Sequence, residues 1–159
     1  MLHYGGFVEG WAVYVENLSY GYAAQLTKNE EAAAYIEACR LNRNLHLCLY
    51  SYMDIAIHYD GATPEQIERF LENLGLGQHT NVETIYEYLV EEPCNYLKYY
   101  LGYLEFLSLK QQAEELWGTD YSDYRFHKFV LETGPSDFRS LGELVTAHPY
   151  PGQNFGNQS

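Results

Sequence analysis

The sequence of 159 residues lacks the short motifs that mark the commonest catalytic sites. It has no His-Glu-x-x-His pair, so the chain contains no zinc platform made of two histidines on one helix. A glycine-rich phosphate loop, a nucleophile elbow and a Cys-x-x-Cys pair are missing as well. Any chemistry must therefore come from scattered carboxylates, tyrosines and histidines.

Basic residues are scarce: 9 Lys and Arg against 22 Asp and Glu give a formal net charge of −13. This charge argues against nucleic acid or an anionic membrane surface as a partner. The sequence has no run of eighteen apolar residues and no signal peptide at its start. Its three cysteines are odd in number and widely spaced, which predicts reduced thiols and a cytoplasmic protein (Cys39, Cys48 and Cys94).

No segment alternates apolar and polar residues in the way a strand requires, and start and stop signals predict helices throughout. The predicted helices cover roughly 7–26, a long segment from a capping box at Thr27–Glu30 to 59, 64–75, 83–91, 93–116, 123–133 and 136–145. We therefore predict an all-α fold with two long helices and several short capped ones. Residues 1–147 form a single helical domain, and 148–159 a flexible tail rich in Pro, Gly and Asn.

The segment FVEGWAVYVE carries two carboxylates, Glu9 and Glu16, in an otherwise apolar and aromatic helix. They are seven residues apart, almost two helical turns, so both lie on one stripe. Two interpretations stay open. The stripe faces solvent and the carboxylates are hydrated, or the helix is largely buried and a carboxylate is well placed to coordinate a metal.

Asp54 and His58 are one helical turn apart near the end of the second predicted helix. Asp54 can accept a hydrogen bond from the imidazole and fix its tautomer, and Arg43 lies on nearly the same face. The alternative is a histidine that only favours the helix C-terminus through the helix dipole.

Tyr96, Tyr99, Tyr100 and Tyr103 form a continuous stripe on the helix that follows Pro93. Such a stripe is typical of a core or an interface, although a tyrosine hydroxyl also suits a developing oxyanion. Gly102 costs this helix about 1 kcal/mol relative to alanine, which indicates that another segment packs closely there.

Four fragments in order resemble the C-terminal part of a bacterial family, domain of unknown function 885 (DUF885), whose members resemble zinc peptidases of the gluzincin type. The resemblance covers about residues 7–145, and its fragments are FVEGWAVYVE, MDIAIHYDGATPEQI, EPCNYLKYYLG and FHKFVLETGPSDFRSLGELV. It implies that this domain is the C-terminal part of a larger helical metallopeptidase fold.

In that family a His-Glu-x-x-Pro-Gly-His-His helix precedes the Glu-Gly-Trp-Ala segment and provides two zinc ligands and the general base. The resemblance implies that Glu9 is the third zinc ligand. It also implies that His58, in the family's Asp-x-x-x-His with Asp54, donates to the tetrahedral intermediate, and that Tyr99 is the oxyanion donor. Glu16 is then a hydrogen-bond acceptor behind the metal ligand or a solvated residue.

The histidine pair and its general-base glutamate are absent from this sequence. We therefore expect the chain alone to bind no zinc and to be inactive, as the C-terminal portion of a zinc peptidase that acts on peptides. A missing N-terminal segment or a separate chain would supply the histidines, and the abrupt start of the first helix favours truncation. An uncovered apolar patch would then lead to self-association. The alternative is a non-catalytic, acidic, tyrosine-rich helical interaction module.

Overall fold

The computed structural model describes residues 4–77 and 81–147, and it confirms the all-α prediction. Within these residues there are seven α-helices and no strand: α1 Gly5–Leu26, α2 Glu30–His58, α3 Pro64–Asn73, α4 Val82–Glu91, α5 Asn95–Trp117, α6 Asp123–Thr133 and α7 Phe138–Ala147. None of the helices in the described part is long and apolar enough to cross a membrane. The tail predicted at 148–159 lies outside the described residues.

The contact between α1 and α5 is the most extensive in the fold, and two glycines set its distance. A Cβ on Gly10 would lie 2.6 Å from the Cα of Gly102, and one on Gly102 would lie 2.9 Å from the Cα of Gly10. Both helices therefore approach backbone to backbone, as the glycine inside α5 predicted. Beside this contact Phe7 packs edge-on against Phe106, with ring centroids 5.2 Å apart, and starts the larger core.

α2 folds back along α1 after a three-residue connection and forms an antiparallel pair with it. Asn17 of α1 hydrogen-bonds with Asn44 and Arg40 of α2, which fixes the register of the two helices. The C-terminal half of α2 packs on α3 and α4 and forms a second, smaller core around Met53, Ile57 and Leu89. The chain thus has two cores joined by α2.

Several helix starts differ from the prediction, because other side chains occupy the N-cap. α2 is capped by Asn29, whose side chain accepts from the Ala32 N–H, so the capping box at Thr27–Glu30 is wrong. Asp137, not Ser136, accepts from the Ser140 N–H at the start of α7. The capping box of Thr63 with Gln66 is confirmed.

α5 begins at Asn95 because Cys94 takes a left-handed conformation, φ 62°, which interrupts the helix after Pro93. The first helix is also less buried than its apolar sequence predicted. Val8 and Val15 are 53% and 43% exposed, whereas Val13 and Tyr14 are buried. α1 is therefore a half-buried helix with one apolar face in the core and another apolar face open.

Candidate active site

Glu9 and Tyr99, distant in the sequence, lie together at the edge of the α1–α5 contact. Glu9 directly precedes Gly10, and Tyr99 is three residues before Gly102, so the glycine contact brings both side chains to one place. Both residues are partly exposed. Burial raises the pKa of Tyr99, and the nearby carboxylate of Glu9 raises it further. The phenol is therefore a neutral hydrogen-bond donor beside a carboxylate.

Arg43 extends this site onto α2. Its Nε donates to both carboxylate oxygens of Glu16, at 3.3 and 3.4 Å. Burial and neighbouring tyrosines raise the pKa of Tyr96 to about 12, whereas the Arg43 charge opposes this shift and the shift of Tyr99. Within the described residues neither Nη atom of Arg43 donates a hydrogen bond, so the end of the guanidinium is open to an anion.

The two carboxylates of α1 therefore have different partners. Glu9 faces the phenol of Tyr99 on α5, and Glu16 pairs with the cation of Arg43 on α2. The Glu16 side chain is 33% exposed and forms an ion pair with Arg43, so it is only partly hydrated. α1 thus passes between two different neighbours, and its two carboxylates are not equivalent.

Asp54 and His58 lie on one side of α2, but the hydrogen bond between them, one of the two alternatives from the sequence, does not form. His58 Nε2 is 3.7 Å from Asp54 Oδ1 and instead makes a 2.9 Å hydrogen bond with the carbonyl oxygen of Leu89 in α4. Asp54 is 1% exposed, and neither of its oxygens has a hydrogen-bond partner within the described residues. The same holds for the hydroxyl of Ser51, one turn earlier.

This pair is not joined to Glu9 and Tyr99 by any hydrogen bond or ion pair within the described residues. α1 and α2 are antiparallel, and the Glu16–Arg43 pair puts Glu9 level with about residue 50 of α2. His58 is then displaced along the helix by eight residues, about 12 Å at 1.5 Å per residue. The structure brings two predicted site residues together at α1–α5 and two at the end of α2.

The stripe of four tyrosines on α5 divides among several partners. Tyr96 contacts Tyr50, with ring centroids 4.5 Å apart, and burial and the neighbouring thiol of Cys48 raise the pKa of Tyr100. Tyr103 is 9% exposed and belongs to the larger core. The stripe therefore mainly joins α5 to its neighbours, as predicted for a core or interface, and Tyr99 is the member whose pKa the Glu9 carboxylate raises.

A second polar group joins α1 and α5 to α6, and none of its residues was predicted to be a site residue. The Tyr14 hydroxyl is 2.9 Å from His127 Nε2, and Asp123 accepts hydrogen bonds from Tyr121 at 2.6 Å and from Lys110 at 2.9 Å. Burial lowers the pKa of His127, which favours its neutral ring beside the Tyr14 hydroxyl. Periodicity gives no signal for this contact, because it joins α1 to α6 across the core.

The donor set around Glu9 does not form a zinc site from the described residues alone. Zinc is held by three or four thiolate, imidazole or carboxylate ligands. Among residues 4–77 and 81–147 no three His, Cys, Asp or Glu side chains are placed to hold a metal together. Glu9 offers one carboxylate, and its neighbour Tyr99 is a phenol with a raised pKa. The three cysteines are not paired with one another.

Comparison with known proteins gives one match. A family model described as "Bacterial protein of unknown function (DUF885)" matches residues 1–145, which is most of the chain. The chain belongs to the DUF885 family. The resemblance found in the sequence is thereby confirmed at the level of the family. No curated protein and no solved structure matches this DUF885 member.

Proposed function

We propose that this DUF885 chain is the C-terminal portion of a zinc-dependent metallopeptidase and acts on peptides once two histidines and a general base are supplied from outside it. In this proposal Glu9 is the carboxylate ligand of the metal and Tyr99 the donor to the developing oxyanion. The observation that carries it is the juxtaposition of Glu9 with Tyr99, from α1 and α5. A ligand and an oxyanion donor must lie within one reacting centre.

The state of Tyr99 supports its proposed role. An oxyanion donor must keep its proton at neutral pH, and burial with the adjacent Glu9 charge raises the pKa of this phenol above its usual value. In this proposal Arg43, whose charge acts on Tyr99, binds a carboxylate of the substrate through its Nη atoms, which donate no hydrogen bond among the described residues. A peptide with a free C-terminus is therefore the substrate that the site suits best.

His58 has a weaker case, because its Nε2 is already engaged with the Leu89 carbonyl. Donation by His58 would require this hydrogen bond to be exchanged for one to the substrate. The family's Asp-x-x-x-His pattern alone supports a catalytic role for Asp54 and His58. The rival proposal, a non-catalytic interaction module, assigns no role to Glu9 and Tyr99 and leaves their proximity as a consequence of the Gly10–Gly102 contact.

The test is peptide hydrolysis by the chain assembled with the segment that carries the histidine pair, in the presence of zinc. Glu9→Gln should abolish hydrolysis, because the neutral amide is a poor zinc ligand. Glu105→Gln, at an exposed carboxylate of α5 outside the site, is the control and should retain most of the activity. Hydrolysis that survives Glu9→Gln would remove the ligand assignment, and equal loss in both variants would show that the effect is not specific to Glu9.

A further inference from the structure

A row of four aromatic rings lies beside Arg43 and joins α2, α4 and α5. His46 stacks on Tyr50 within α2, with ring centroids 4.2 Å apart, and Tyr50 contacts Tyr96 of α5 at 4.5 Å. Tyr88 of α4 stands edge-on to Tyr96, with ring centroids 6.1 Å apart. We call this row the aromatic wall. Because three helices contribute to it and each ring contacts the next, the rings are held in fixed positions relative to one another.

One side of the aromatic wall is open. Its inner side packs on the second core, because Tyr50 and Tyr96 lie against the buried residues there. None of the four rings is buried: Tyr88 is 40% exposed, and His46 is exposed as well. The Asn95 side chain donates a hydrogen bond to the Tyr88 hydroxyl at 3.2 Å and helps to hold this ring. The wall is thus a half-exposed surface made of ring faces and edges.

The aromatic wall is uncharged at neutral pH and borders a cation. Burial and the neighbouring Tyr88 raise the pKa of Tyr50 and of Tyr96, so both phenols keep their protons. Partial burial and the Arg43 charge lower the pKa of His46, so its imidazole is neutral. The Nη atoms of Arg43, one turn from His46, donate no hydrogen bond within the described residues. A neutral aromatic surface beside an open guanidinium suits a ligand with a carboxylate and an uncharged ring.

The aromatic wall occupies the stretch between Arg43 and the site at Glu9 and Tyr99. The ion pair between Arg43 and α1 puts Glu9 level with Tyr50 of α2, about 10 Å beyond Arg43 along the helix. His46 and Tyr50 lie in this interval, on the same face of α2 as Arg43. A peptide that reaches from the reacting centre to the guanidinium therefore passes along the wall.

We propose that the aromatic wall binds the C-terminal side chain of the peptide substrate and selects an aromatic residue there, while Arg43 binds its carboxylate. This inference rests on the peptidase proposal, which requires the substrate to reach Tyr99 and therefore keeps the neighbouring wall accessible. An added ring extends the row of ring contacts and gains a favourable aromatic pair that an aliphatic side chain lacks. An acidic side chain is disfavoured instead, because Glu9 and Glu16 of α1 lie nearby.

Binding of capped dipeptides to the full chain tests the wall without zinc and without hydrolysis. The probes are acetylated alanyl-phenylalanine, alanyl-alanine and alanyl-lysine, titrated while NMR follows the chemical shifts of the chain. The phenylalanine peptide should bind about tenfold more tightly than the other two. Its C-terminal amide, which lacks the carboxylate, should bind about tenfold more weakly than the acid. A phenylalanine peptide that binds no more tightly than the alanine or the lysine peptide would overturn the proposal, and an amide that binds as tightly as the acid would refute the part of Arg43.

Two single substitutions on α2 locate the binding. His46→Ala removes the ring next to Arg43 and should reduce the preference for phenylalanine to about threefold or less. Tyr52→Ala is the matched control, because Tyr52 is 53% exposed and stacks on Phe70 of α3, outside the wall. This variant should keep the full preference. An unchanged preference in His46→Ala would refute the wall as the binding surface.

Hydrolysis by the chain assembled with the segment that carries the histidine pair separates this inference from the peptidase proposal. Cleavage without any preference for an aromatic C-terminal residue would refute the aromatic wall and leave the peptidase proposal standing. Binding of the phenylalanine peptide as expected, with no cleavage by the assembled protein, would refute the peptidase proposal. The wall would then remain a binding site for aromatic carboxylates.

Discussion

Replacing Gly102 with alanine should destabilise the protein, although alanine is the better helix former. A Cβ at this position would lie 2.9 Å from the Cα of Gly10 and closer still to the carbonyl oxygen of Gly6. Both obstacles are backbone atoms of α1, so no side chain can rotate away and the helices must separate. Overpacking of this kind costs about 1–3 kcal/mol, and a contact between two backbones belongs at the upper end.

The gain in helix propensity from glycine to alanine offsets about 1 kcal/mol of this cost. We therefore expect a net loss of about 2 kcal/mol in the free energy of unfolding. For a domain of this size each kcal/mol shifts the melting temperature by about 2–4 °C, so the expected decrease is about 4–8 °C. Circular dichroism at 222 nm during a thermal scan measures it directly.

Gly21→Ala is the matched control, because Gly21 lies inside α1 and its Cβ would meet nothing within 4 Å. Here the propensity gain of about 0.5–1 kcal/mol should act alone and raise the melting temperature. Gly10→Ala opens the same contact as Gly102→Ala, so the double variant should lose less than the sum of the two. A Gly102→Ala variant as stable as Gly21→Ala would refute the close approach of α1 and α5.

Two further predictions concern titratable groups. Asp54→Asn should leave the melting temperature unchanged or raise it by about 2–4 °C. The reason is that the substitution removes a buried carboxylate that has no hydrogen-bond partner among the described residues. A clear decrease would show that the fold stabilises the carboxylate. Burial lowers the pKa of His127, so stability should be fully present above pH 6.5 and fall as the pH decreases below it. The free energy of unfolding in guanidinium chloride, measured at about pH 5 and about pH 7.5, gives the size of that fall. In the His127→Gln variant the difference between the two pH values should be smaller. An equal difference in the variant would assign the pH dependence to another group.

Local signals in the sequence were enough to predict the helices, but they placed the first residue of several helices wrongly. Asn29 caps α2 although Thr27 with Glu30 fits the capping box equally well, because side chains two residues apart compete for the same free N–H groups. Which of them caps depends on the path by which the chain leaves α1. The start of α5 was misplaced for a similar reason, since the left-handed turn at Cys94 has no glycine to signal it.

The candidate site was predictable only in part. Gly102 indicated a close neighbour, yet nothing in the periodicity of α5 identified that neighbour as Gly10. The proximity of Glu9 and Tyr99 was expected from the family resemblance and not from spacing, because contacts between distant helices leave no local pattern. For Asp54 and His58 the spacing allowed a hydrogen bond, but the Leu89 carbonyl competes for the imidazole and lies 0.8 Å closer to it.

The side of α2 that faces α1 is polar. Arg40, Arg43 and Asn44 meet polar partners on α1, whereas Leu41 and Leu45 are 54% and 51% exposed. The polar contacts hold α2 in register with α1 and thereby keep Arg43 close enough for its charge to act on Tyr99. Because the site depends on this polar face, loss of the Arg43–Glu16 ion pair should alter the site, whereas a substitution at Leu41 or Leu45 should leave its chemistry unchanged.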